Sequence, residues 1–160
     1  MLPHIWGPNK LAKYASTTEA IDATISVFCD GLEKALCGAG QHTVLVHPVR
    51  PTPRDHPGDG VAAARRTQAW HIELRRRLRD LPRVIYLDFF DELCCVAGGI
   101  DSAVCERCGG SVAATVEDVE PPWLCRAFDI GDGVHMNREY AHMFVRHVRE
   151  AIAQLSGLVS

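Results

Sequence analysis

Arg83-Val84-Ile85-Tyr86-Leu87-Asp88-Phe89-Phe90 is the stretch on which the fold turns. It is short, almost continuously apolar and rich in β-branched and aromatic residues, and Pro82 stands just before it, so it predicts a buried strand. Working back from it, Trp70, Leu74, Leu78 and Leu81 recur on one side of residues 61–81 with arginines on the other. That spacing predicts an amphipathic helix closed by Pro82. Before this helix, residues 55–60 are turn-rich. His47-Pro48-Val49-Arg50-Pro51-Thr52-Pro53-Arg54 rules out regular sheet or helix, and Thr43-Val44-Leu45-Val46 reads as a strand covered on both faces. Further back, Ser16-Thr17-Thr18-Glu19 has the spacing of a capping box. Ile21, Ile25, Phe28, Leu32 and Leu36 then form a helical stripe that Gly38 and Gly40 stop. Leu2 to Trp6 reads as a first strand that Gly7-Pro8-Asn9 ends. Strand, helix, strand, helix, strand implies parallel pairing and an open α/β sheet, with chemistry at the carboxyl ends of the strands. The loops at 7–10, at 47–54 and after Phe90 share that edge. Asn137 caps a last helix to about Leu155, with Ala141, Phe144, Val145, Val148, Ile152 and Leu155 expected on its inner face.

One domain over residues 1–160 is expected, since 47% hydrophobic and 23% charged residues leave no disordered composition to set apart. A formal charge of -3 gives no overall attraction for nucleic acid or an anionic membrane, and the arginines at 65–66 and 75–77 read as a solvated helix side. The absence of a long apolar run and of a basic, apolar leader predicts a soluble, cytoplasmic chain. Seven cysteines, two of them adjacent, argue against a paired disulfide framework.

Two stretches carry chemistry. In Asp129-Ile130-Gly131-Asp132-Gly133-Val134-His135-Met136-Asn137, a carboxylate and an imidazole stand on one short loop before a helix. Asp132 would hold the tautomer in which His135 accepts a proton; the plain alternative is a turn followed by a surface histidine. The second stretch is a cysteine-rich insert at about 94–126, where Cys105-Glu106-Arg107-Cys108-Gly109-Gly110 has the form of a zinc knuckle. With Cys125 and one of Cys94 or Cys95 it would make a closed, structural four-thiolate zinc site; the alternative is an irregular insert of reduced cysteines. Cys29 and Cys37 read as core or surface thiols, and His4 as a histidine of the first strand. His142 and His147 lack the four-residue step of a helical metal pair. His47 and Arg54 lie on the catalytic edge, where the first would line a pocket and the second would bind an anionic group as a fork. A backbone-satisfied loop histidine and a structural ion pair are the alternatives.

Asp132-Gly133-Val134-His135-Met136-Asn137, Gly7-Pro8-Asn9-Lys10 and Pro51-Thr52-Pro53-Arg54 together resemble the SGNH (GDSL-type) hydrolase family. The resemblance covers most of the chain outside 94–126. It implies a flavodoxin-like three-layer α/β/α fold with a short parallel sheet, and an esterase or lipase needing no cofactor for catalysis and acting on a small ester. It also implies His135 as base, Asp132 as its orienter, Asn9 as oxyanion donor, and Gly7, His47 and Arg54 around the substrate. Two departures stand out. Lys10 replaces the Asp of the family's G-x-N-D block, and the G-D-S block that supplies the serine is not among the 160 residues. Six residues precede Gly7, so the resemblance implies a sheet starting at its third strand with an edge open to self-association. Gly99-Ile100-Asp101-Ser102 looks like G-D-S but is not set on a strand-to-helix turn. The expected function is therefore an esterase incomplete by itself, or, in a different class, a binding module stabilised by zinc.

Overall fold

A computed structural model describes residues 18–38, 40, 42–55, 58–96, 104–110, 112, 121–130 and 135–156. In chain order these form helix α1 (Thr18–Gly38), strand β1 (Val44–Val46), helix α2 (Gly60–Leu78), strand β2 (Val84–Tyr86), the short helix α3 (Phe90–Leu93), a 3-10 turn (Arg126–Phe128) and helix α4 (Arg138–Leu155). The result is a mixed α/β chain in which β1 and β2 pair in parallel, Val44 opposite Val84, Leu45 opposite Ile85 and Val46 opposite Tyr86. The expected first strand, residues 2–6, and the capping serine, Ser16, lie outside the described residues. Among the described residues, no helix is long and apolar enough to cross a membrane.

The chain divides into two compact units, one of Met1–Val49 with Arg66–Asp88 and one of Arg50–Arg65 with Phe89–Ser160. In the first, Ile21, Ile25, Cys29, Leu32 and Leu36 line the buried face of α1, and Trp70, Leu74, Leu78 and Leu87 are buried as well. The sequence stripe placed Phe28 where Cys29 lies; Phe28 is half-buried. Strand β2 is shorter than its apolar run. The last parallel bond is Leu87 N–H to Val46 O at 3.0 Å. Beyond it the partner chain reaches Pro48, which has no N–H to give, so Phe89 and Phe90 leave the sheet. Tyr86 does more than pair. Its hydroxyl accepts the Val49 N–H at 3.2 Å and lies 3.0 Å from Nδ1 of the buried His71, whose Nε2 faces Asp88 at 3.7 Å. With the proton on Nε2, Nδ1 is left to accept the Tyr86 hydroxyl proton.

Arg77 ties α2 to α1 by donating to Asp22 at 2.6 Å and to Ser26 at 3.3 Å, and to Glu73 within its own helix at 2.9 Å. The Arg76 guanidinium, joined by Arg77 and opposed by partial burial, holds the Glu73 carboxyl down at about 2. A carboxylate depressed in the folded state stabilises it above its unfolded value and ceases to do so as pH falls through the folded one. Stability supplied by Glu73 is thus complete above about pH 4.5 and is lost toward pH 2. Urea denaturation across that window should show Glu73→Gln with a shallower acid slope than the parent chain, the two curves converging at the acid end; parallel curves would contradict the assignment.

The second unit is threaded by one extended segment. Thr52 and Trp123 form a parallel bridge, Cys94 and Leu124 an antiparallel one. Leu124 N–H donates to Thr52 O at 2.9 Å, Cys95 N–H to Trp123 O at 3.0 Å and Cys125 N–H to Leu93 O at 2.8 Å. The proline-rich loop therefore makes one sheet-like contact after all, and it does so through the carbonyl of Thr52. Helix α4 starts where expected, with Asn137 Oδ1 accepting the Tyr140 N–H at 3.1 Å. Its buried face matches the one read in the sequence only in part: Phe144 and Val148 are half-buried, but Ala141 is exposed. Met143 and Ala151 are buried, whereas Val145, Ile152 and Leu155 are 46%, 51% and 53% exposed. Phe89 sets this rotation: its ring stacks on His147 at 4.6 Å and meets Tyr140 and Phe144 at 6.0 and 6.4 Å. Those three residues therefore turn inward.

Candidate metal centre and the histidine loop

The knuckle is a tight turn made by its own backbone. Cys105 N–H donates to Gly110 O at 2.8 Å and Gly109 N–H to Cys105 O at 2.9 Å. Gly109 takes φ 66°, in the left-handed region that favours glycine. A side chain at Gly110 would bring its Cβ to 3.3 Å from the Cys108 sulfur. Both glycines thus have a steric reason to stand behind the second cysteine.

This turn lies against the extended segments described above and brings Cys95, Cys105, Cys108 and Cys125 together, their sulfurs all within 4.8 Å of one another. Two of the separations are 3.9 Å for Cys95 to Cys108 and 3.8 Å for Cys105 to Cys125. A tetrahedral ion with Zn–S bonds of about 2.3 Å requires sulfur separations of about 3.8 Å, so the donor set fits such an ion. It is the one group of its kind among the described residues. Four thiolates around a divalent ion leave two excess negative charges. Backbone N–H groups of Cys108, Arg107 and Val96 point at the Cys105 sulfur, and that of Ala127 at the Cys125 sulfur.

The same forces set the thiol acidities. Burial raises Cys105, but those three N–H groups outweigh it and bring the thiol below its usual range. Burial first, then the neighbouring sulfurs, push Cys95 and Cys125 up. Mutual repulsion therefore limits how many sulfurs ionise together, and a cation among them removes that limit. With four protein ligands no position stays open for substrate, so the arrangement suits a structural ion.

Cys94, named with Cys95 as an alternative ligand, is not part of the cluster. At Cys94 the chain is extended (φ -82°, ψ 155°), which turns adjacent side chains to opposite faces. Its thiol lies 3.3 Å from Phe90 O, and burial, helped by Asp91, pushes it up to about 12. Cys29 is buried and Cys37 exposed in α1, as their core and surface reading has it.

The histidine loop stands on the other side of Cys125. Asp129 and Met136 form an antiparallel bridge, Ile130 N–H donates to His135 O at 3.4 Å, and Asn137 N–H to Phe128 O at 3.0 Å. His135 is exposed on the return arm of this pair. Asp132, Asn9 and Gly7 lie outside the described residues, as does Ser102. His47 is at the surface with Nδ1 2.8 Å from Pro48 O. Arg54 lies over the Trp123 ring at 5.6 Å and lines a cavity of about 350 Å³ with Asp55, Leu124, Arg126, Asp129 and Ile130. That cavity abuts the outgoing arm of the His135 pair.

His142 and His147 are not a metal pair: Nε2 of His142 lies 3.3 Å from Arg138 Nε, and Nε2 of His147 lies 2.7 Å from Glu92. The Glu92–His147 contact, flanked by Arg146, is a feature the sequence reading missed. Its partners are 55 residues apart, and no local spacing announces such a pair. No protein-family model, curated protein or solved structure matches this chain.

Proposed function

We propose that the chain is an SGNH-type hydrolase-like domain of flavodoxin-like three-layer architecture, directed at ester bonds and braced by a structural zinc ion at Cys95, Cys105, Cys108 and Cys125. His135 acts as base, Asp132 orients it, Asn9 donates to the oxyanion, and Arg54 with Gly7 and His47 borders a small ester substrate. Full activity would require a serine from another segment or chain, since acyl transfer needs attack and charge stabilisation together. The supporting observation is the cavity between Arg54 and the base of the His135 strand pair, immediately before an Asn137-capped last helix. Parallel pairing of β1 with β2 agrees with this reading.

A second reading, a non-catalytic binding module, is favoured by the closed four-sulfur cluster. Without that serine His135 can only activate water, weakly, so slow hydrolysis of a short acyl nitrophenyl ester by the purified chain separates the two. Turnover that disappears in His135→Ala supports the hydrolase; the same background rate in both supports the module.

A further inference from the structure

One run of backbone joins the sulfur cluster to the histidine loop. Cys125 is a member of the cluster, and its carbonyl accepts the Phe128 N–H at 3.0 Å, which closes the 3-10 turn. The turn then offers two of its carbonyls to one residue: Ala127 O accepts from Asn137 Nδ2 at 2.6 Å and Phe128 O from Asn137 N at 3.0 Å. Asp129 and Ile130 follow directly and pair with Met136 and His135. From the knuckle, Arg107 donates to Glu92 O and lies over the Phe128 ring at 5.7 Å. The path from sulfur to His135 thus consists of consecutive short contacts with no free linker.

Neither part of this path is stable alone. A three-residue 3-10 turn has poor hydrogen-bond geometry, and a ribbon held by a single bridge is marginal in water. Their order is borrowed from the two ends. One end is Asn137 on α4, which Phe89 holds; the other is Cys125. We propose that metal ligation by Cys125 positions His135, so that loading of the cluster sets the order of the strand pair that presents the imidazole. Cys125 is then a positioning residue, and the cluster acts on the active loop as well as on stability. This rests on the zinc-braced reading above.

The test is hydrogen exchange on the purified full chain, zinc-loaded and after chelation, with metal content followed by mass spectrometry. Removing the metal should speed exchange at the Ile130 and Asn137 amides by about tenfold or more, while the Leu87 amide between β1 and β2 keeps its protection. Unchanged exchange at Ile130 and Asn137 in metal-free chain would overturn the inference and leave the zinc site standing. Should chelation expose the whole second unit, replacement of Zn2+ by the larger Cd2+ keeps the cluster filled. The His135 ring signals should then differ between the two forms while those of His71 stay fixed, and identical His135 signals would overturn the proposal. A native chain that binds neither ion ends both the inference and the zinc reading.

Discussion

On the zinc-braced reading, Cys105→Ser is expected to abolish metal binding and melt the second unit, with metal content falling to near none. Losing an outer-shell partner of a metal ligand already costs about 10- to 100-fold in affinity, and loss of a ligand should exceed that. Because structural zinc binding is itself folding free energy, a hundredfold weaker site forfeits about 2.7 kcal/mol of stability. Cys105 is the most telling position, since three backbone N–H groups converge on its sulfur and it is 1% exposed. The comparison variants are chosen by geometry. Cys94→Ala and Cys37→Ala should retain the metal, whereas Cys95→Ala should lose it. Metal analysis beside thermal melts reads all four, and zinc retained in Cys105→Ser would refute the four-sulfur site.

Phe89→Ala should strongly destabilise the second unit without touching the sulfurs. Phe89 is 1% exposed and its ring contacts Tyr140, Phe144 and His147. Truncating a buried Phe costs about 3–5 kcal/mol, part of it from ring pairs worth about 0.5–1.5 kcal/mol each. The alternative fastening of α4 is Glu92 with Arg146 and His147, whose Glu92 and Arg146 side chains are 39% and 54% exposed. An exposed ion pair contributes about 0–1 kcal/mol. Urea denaturation should therefore show Phe89→Ala several times more destabilised than Glu92→Gln. Equal losses would mean that charge, not the aromatic stack, fastens the helix.

These two cases also mark how far the sequence could be read. Local patterns were sufficient to place α1, β1, β2 and the Asn137 cap, because the apolar repeat or the cap chemistry is contained within each element, but β1 and β2 are largely half-buried and not covered on both faces as expected. They were sufficient for the knuckle too, where spacing and the two glycines are local. The buried face of α4 was not legible in that way. Its apolar stripe is real, but Val145, Ile152 and Leu155 lie exposed because one distant ring, Phe89, selects another face. The choice between Cys94 and Cys95 likewise waits on backbone dihedrals that no composition reveals. The bridge from Thr52 to Trp123 joins a proline-rich loop to a segment far along the chain, and nothing near Thr52 signals it.

The sulfur donors all come from one short stretch, Cys95 to Cys125, with the knuckle between them. Closing such small loops costs little chain entropy, and the cost grows only slowly with their length. A cation can therefore gather this stretch early during synthesis, before residues 138–155 have left the ribosome. On the zinc-braced reading, the last helix would then meet a finished seat.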